Sequence, residues 1–119
     1  MKKNVFVMII MSTLLSVTAQ LILKTGMNDY GSISLGLDII RAVFHPLVFV
    51  GLITYFFSAV LWIMVLSKVE VSYAYPFAAL GYVIVTFLGW LLLNESVNAL
   101  RIIGVIIIIT GVYVVSKSK

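Results

Sequence analysis

Three stretches of this chain, residues 5–23, 47–66 and 71–93, contain no charged side chain. Each is long enough to cross a hydrocarbon core of about 30 Å, which takes roughly 20 apolar residues in a helix. Nothing else in the sequence constrains the fold so strongly. Lipid offers the backbone no hydrogen-bond partners, so a spanning segment must satisfy its own N–H and C=O groups, and a helix does this locally. A fourth run, residues 100–116, is shorter and carries Arg101 near its start. Arginine can extend its charge to the interface while its stem stays apolar, so this run also reads as a span. Its Ile- and Val-rich centre would favour a strand in water, and lipid reverses that preference. The expectation is a single all-α membrane domain over 1–119, with four transmembrane helices at about 5–24, 47–67, 71–93 and 100–116.

Composition supports the assignment. With 63% hydrophobic and 10% charged residues, the chain lacks the polar groups to cover a water-soluble globule, which typically carries about 25% charged residues. There is no cysteine, and the single histidine, His45, cannot build a metal site alone, so neither metal nor cofactor is expected. The net charge of +4 does not call for nucleic acid, because the basic residues flank the apolar runs, where they set membrane orientation. Lys2 and Lys3 ahead of an apolar run also describe a signal peptide, and Val17-Thr18-Ala19 is similar to a cleavage site. The run continues past that site to Leu23, so a retained span is expected.

Two connections are short, 67–70 and 94–99. The first, 24–46, is long enough to hold an element of its own. Ile33, Leu37, Ile40 and Phe44 follow helical spacing, with Leu35, Ile39 and Val43 widening the apolar face and Ser34, Asp38 and Arg41 beside it. This predicts a short interfacial helix at about 33–44 with Ser32 as its N-cap. Four spans put both termini and the 67–70 loop on one side. That side carries Lys2, Lys3, Lys68, Lys117 and Lys119, against Lys24, Arg41 and Arg101 opposite. The positive-inside rule places the termini in the cytoplasm.

Polar residues inside the spans locate the candidate site. Ser12, Ser16, Gln20 and Lys24 follow one another at intervals of four, so they lie along one side of the first helix. Facing lipid they would be costly, so they face protein or a water-filled groove. Two readings stand: interhelical hydrogen bonding, or a substrate-facing groove. In the third span Pro76 removes a backbone donor and crowds the carbonyl one turn earlier. Tyr75, Tyr82 and Thr86 then share a face. Tyr73 suits the interfacial aromatic belt, and Tyr82 suits the groove. Gly51, Tyr55, Ser58 and Trp62 share a face of the second span, which reads as a packing element, with Trp62 also a candidate groove residue. Gly104 and Gly111, seven apart on the fourth span, form a candidate dimer interface. No Asp or Glu lies within the apolar part of any span.

The segment Leu14-Leu15-Ser16-Val17-Thr18-Ala19-Gln20-Leu21, closing on Lys24, resembles the first helix of the small multidrug resistance fold of the drug/metabolite transporter superfamily. The stretch Val60-Leu61-Trp62-Ile63-Met64-Val65-Leu66, with Val69 and Ala74-Tyr75-Pro76, is similar to one branch, the subunits of aminoarabinose-phosphoundecaprenol flippases. Asn94-Glu95-Ser96 resembles the Glu-containing turn before the last helix of this superfamily. Drug-exporting members carry a glutamate where this chain has Ser16, and a tryptophan where it has Ala78. The resemblance implies a flippase of the bacterial cytoplasmic membrane, not an enzyme. It would pass a polyprenyl-phosphate-linked sugar, with Ser12, Ser16, Gln20, Trp62, Tyr75, Tyr82 and Thr86 lining a groove and Lys24 and Arg41 attracting the phosphate. Larger relatives contain two inverted halves, so a four-helix chain is expected to pair with a second copy or a related subunit, antiparallel. Export of a small cationic or hydrophobic compound is the alternative, weakened by the missing carboxylate. A third is a helper subunit of another membrane enzyme.

Overall fold

The computed structural model describes residues 3–118, so Met1, Lys2 and Lys119 lie outside the described residues. The described residues form helices and connections, with no strand among them: α1 Lys3–Tyr30, α2 Leu37–Val43, α3 Pro46–Leu66, α4 Val71–Ala78, α5 Leu80–Leu93 and α6 Ala99–Ser116. Four units are long and apolar enough to cross a membrane: α1, α3, α4 with α5, and α6.

α1 runs six residues beyond its expected end near Lys24. At 1.5 Å per residue it is about 42 Å long and outreaches the hydrocarbon core. Packing sustains the extension. A Cβ on Gly26 would lie 2.9 Å from Val48 Cγ2 and 3.1 Å from Val48 N, and one on Gly51 would lie 2.8 Å from Leu23 Cγ. Two bare glycines therefore let α1 and α3 run in close contact, and this is the most extensive helix pair of the fold. Asp29 Oδ2 sits 2.8 Å from His45 Nε2 and ties the end of α1 to the start of α3. Gly31, at φ 106°, ends the helix, its N–H bonding the Met27 carbonyl at 2.8 Å.

The short helix between the first two spans is present but begins later than its periodicity implied. Gly31 and Gly36 both adopt positive φ, at 106° and 109°. A right-handed helix cannot pass through that conformation, so Ile33 and Leu35 fall outside α2. Gly36 takes the N-cap position, not Ser32. Leu37, Ile40 and Phe44 remain exposed, as suits a helix lying at a membrane surface.

α3 starts at Pro46, whose missing N–H costs nothing in the first turn. His45 caps it, Nδ1 accepting from Leu47 N at 3.3 Å. The third span is interrupted at Ala79, three residues past Pro76, where the bonds Ala79 N→Pro76 O and Tyr82 N→Ala79 O tighten the turn. Asn94, at φ 57°, closes α5. Asn98 caps α6 by accepting from Arg101 N at 2.9 Å. The Arg101 guanidinium reaches back to the Ser96 carbonyl at 2.7 Å, clear of the apolar part of the helix. A buried cluster of Val5, Ile9, Val65, Ala74, Phe77 and Val112 gathers the helices at the end that carries Lys3 and Lys117. Val112 is the only buried residue of α6.

Candidate substrate cleft

A cleft of about 510 Å³ opens among three spans, and α6 contributes nothing to it. α1 supplies Ser12, Thr13, Ser16, Val17 and Gln20. α3 supplies Tyr55, Ser58, Ala59 and Trp62. The α4–α5 unit supplies Tyr75, Ala78, Ala79, Gly81, Tyr82 and Val85. The i, i+4 stripe of α1 forms one wall. The other two walls repeat one spacing: Tyr55 and Trp62 are seven apart, as are Tyr75 and Tyr82, about 10 Å along each axis. The α4–α5 wall is thin where Ala78, Ala79 and Gly81 cluster at the interruption. A Cβ on Gly81 would lie 3.2 Å from Thr13 Cγ2, so glycine sets how near α5 comes to α1.

The polar groups divide in two. Ser12 and Ser58 are both buried and lock α1 to α3. Ser12 Oγ donates to the Ser58 carbonyl at 3.0 Å, and Ser58 Oγ donates to the Ser12 carbonyl at 2.9 Å. Ser16, Gln20, Tyr55, Trp62, Tyr75 and Tyr82 also line the cleft, and their side chains make no hydrogen bond among the described residues. The Trp62 and Tyr75 rings meet at 72° with centroids 6.4 Å apart. Among the described residues no charged side chain lines the cleft. The interior is therefore a neutral surface, rich in hydrogen-bond donors and aromatic faces, which can take up a polar group without ion-pairing it.

Six of the residues singled out in the sequence meet here: Ser12, Ser16, Gln20, Trp62, Tyr75 and Tyr82. Lys24, one turn past Gln20, is exposed outside the cleft, as is Arg41 on α2. Thr86 lies outside too. Its hydroxyl donates to the Tyr82 carbonyl at 2.7 Å, and it lines a separate apolar groove of about 480 Å³ between α5 and α6. Sequence reasoning treated Tyr55 and Ser58 as packing residues only. The shared spacing of 55 with 62 and of 75 with 82 was the available signal. Apart from the local backbone of α6, no atom of the described residues lies within 4 Å of a Cβ position at Gly104 or Gly111, so that side of α6 is open among the described residues.

Several proteins are similar over nearly the full length. The chain is 36% identical over 124 aligned residues to the probable 4-amino-4-deoxy-L-arabinose-phosphoundecaprenol flippase subunit ArnF of Proteus mirabilis, covering 97% of this chain and 93% of that one. The ArnF subunit of Photorhabdus laumondii is 36% identical over 119 residues, covering 92% and 94%. The ArnE subunit of Salmonella paratyphi C is 30% identical over 114, covering 94% and 96%. No solved structure matches. A family model matches residues 3–117, which contain all four spans and every residue of the cleft: the chain belongs to the EamA-like transporter family.

Proposed function

We propose that this chain is one subunit of a flippase that carries a polyprenyl-phosphate-linked sugar across the bacterial cytoplasmic membrane. The observation that carries this reading is the cleft, uncharged and lined by free hydrogen-bond donors inside an otherwise apolar bundle. A sugar leaving water gives up its hydrogen bonds, and each one not replaced costs about 1–3 kcal/mol. Ser16, Gln20, Tyr55, Tyr75 and Tyr82 offer replacements. The long apolar tail needs no protein pathway, because it can stay in lipid beside the cleft while the head group moves. Ser12 serves by holding α1 against α3. Lys24 and Arg41, both near the edge opposite the termini, draw the phosphate as it arrives there. No bond is made or broken, so no nucleophile or base is required and the protein is not an enzyme.

The relatives are named as subunits of two kinds, ArnF and ArnE. This supports pairing with a second, related four-helix chain. We place that partner antiparallel, against the open glycine side of α6 at Gly104 and Gly111, with the termini of this chain in the cytoplasm. Export of a proton-coupled drug cation is the weaker reading, because such exchange needs a carboxylate that holds cation and proton in turn, and none lines the cleft. Reconstitution tests the proposal. Vesicles holding the chain with an ArnE-type partner are expected to move a glycosylated polyprenyl phosphate between leaflets faster than protein-free vesicles. Equal rates for this lipid, with transport of a quaternary ammonium dye, would reverse the choice.

A further inference from the structure

Resting on the flippase reading, we infer that Glu95 faces Lys24 across the mouth of the cleft opposite the termini, and that its carboxylate competes with the lipid phosphate for Lys24 and so promotes release of the head group there. The argument starts from the turn after α5. Asn94, at φ 57°, reverses the chain, and the N–H of Glu95 returns to the Gly89 carbonyl at 3.1 Å. The side chain follows the backbone down the helix. A Cβ on Gly89 would lie 2.6 Å from Glu95 Oε1, so the bare glycine is what lets a carboxylate lie against α5. Gly89 is seven residues past Tyr82, and two helical turns bring it to nearly the same face, about 10 Å further along. The Glu95 carboxylate therefore stands over the α5 wall of the cleft, beyond Val85, the last residue of that wall.

Lys24 occupies the matching place on α1. It is four residues past Gln20 and seven past Val17, both cleft residues, so it continues that wall. The heights agree as well. Val5 and Ile9 gather with Ala74 and Phe77, while a Cβ on Gly81 would lie 3.2 Å from Thr13 Cγ2 and 3.4 Å from Val17 Cγ2. α1 and the α4–α5 unit therefore rise in the same direction. From the Gly81 contact, Gly89 lies about 12 Å along α5 and Lys24 roughly 10–16 Å along α1. Both side chains are exposed, and they do not touch: among the described residues only Asp29 and His45 pair within 4 Å. Two neighbouring charges are engaged elsewhere, Arg101 with the Ser96 carbonyl at 2.7 Å and Asp29 with His45. Lys24 thus meets two anions, the arriving phosphate and Glu95. With the phosphate alone it would hold the product at the mouth. A carboxylate fixed at the same level weakens that hold, both by repelling the phosphate and by offering Lys24 a replacement partner.

Binding and proximity test this separately. Binding uses the purified protein in lipid nanodiscs, with fluorescent undecaprenyl phosphate as the probe. Glu95→Gln should bind the probe about two- to fivefold more tightly than the parent, through slower dissociation, and the gain should shrink at high salt. Glu95→Asp keeps the charge on a shorter stem and should fall between. Lys24→Glu puts two carboxylates at the mouth and should bind more weakly than the parent. Combining Lys24→Glu with Glu95→Lys should restore binding to within about twofold of the parent. Proximity exploits the absence of cysteine from the chain. Lys24→Cys with Glu95→Cys should be bridged within one chain by a short bifunctional thiol reagent. Equal binding by the parent and Glu95→Gln overturns the inference and leaves the flippase reading intact. So does a charge exchange that binds no better than Lys24→Glu alone, or a cysteine pair that is not bridged within one chain. If the parent binds no undecaprenyl phosphate, the flippase reading itself fails, and this inference with it.

Discussion

Replacing Ser12 and Ser58 by alanine separates the two roles a polar residue can play in a membrane bundle. Each hydroxyl donates to the backbone carbonyl of the other residue, at 3.0 and 2.9 Å, and the two oxygens are 3.4 Å apart. Both carbonyls sit inside helices and keep their own N–H partners, so removing a hydroxyl leaves no orphaned acceptor. The loss is then one interhelical bond and a small void. Such bonds in membrane proteins average about 0.6 kcal/mol and reach about 1.7. Ser12→Ala and Ser58→Ala should each lower stability by about 0.5–1.5 kcal/mol. The double variant should lose less than the sum of the two, because the hydroxyls also lie within hydrogen-bond reach of each other and belong to one network. Unfolding in mixed micelles, followed by tryptophan emission, measures the stability, and transport per folded protein is read in parallel. The reasoning predicts lower stability with transport per folded molecule nearly intact. Unchanged stability combined with slow transport would refute it and return Ser12 to the substrate.

Further predictions concern packing and the membrane edge. Gly51→Ala should destabilise the protein by about 1–3 kcal/mol, since its Cβ would lie 2.8 Å from Leu23 Cγ and 3.2 Å from Leu23 N; thermal unfolding in detergent checks this. Gly104→Leu with Gly111→Leu should leave that midpoint almost unchanged, because among the described residues nothing beyond the local backbone of α6 lies within 4 Å of either Cβ position, yet should dissociate the pair with a partner subunit, measured by co-purification. His45→Ala removes both the cap on Leu47 N and the contact with Asp29, and should cost about 1 kcal/mol. Hydrogen exchange is expected to rise first at the start of α3.

The spans were legible because each apolar run matches the bilayer and helix is the only backbone solution there. The end of α1 was not. Lys24 to Tyr30 is a polar segment, and what keeps it helical is contact with α3, through Gly26 on Val48 and Asp29 on His45, which no local pattern reveals. α2 shows a different limit. Apolar spacing ran smoothly through Gly36, but periodicity carries no information on φ, and the glycine breaks the helix that the pattern implied. In the cleft, the α1 stripe was readable as one face, while the division of labour within it was not. Ser12 bonds across to Ser58 and Ser16 does not, and only the register of α1 on α3 decides which of two serines four residues apart meets the neighbouring helix.

Transport per folded protein in Gln20→Leu and Ser16→Ala tests most directly the claim that a neutral polar cleft carries the head group. Both side chains line the cleft without a protein hydrogen bond among the described residues, so neither change removes packing glue, and the folded fraction should match the parent. With one replacement hydrogen bond lost, at about 1–3 kcal/mol, the flipping rate of a glycosylated polyprenyl phosphate should fall roughly five- to hundredfold. Unchanged rates per folded protein in both variants would contradict the account.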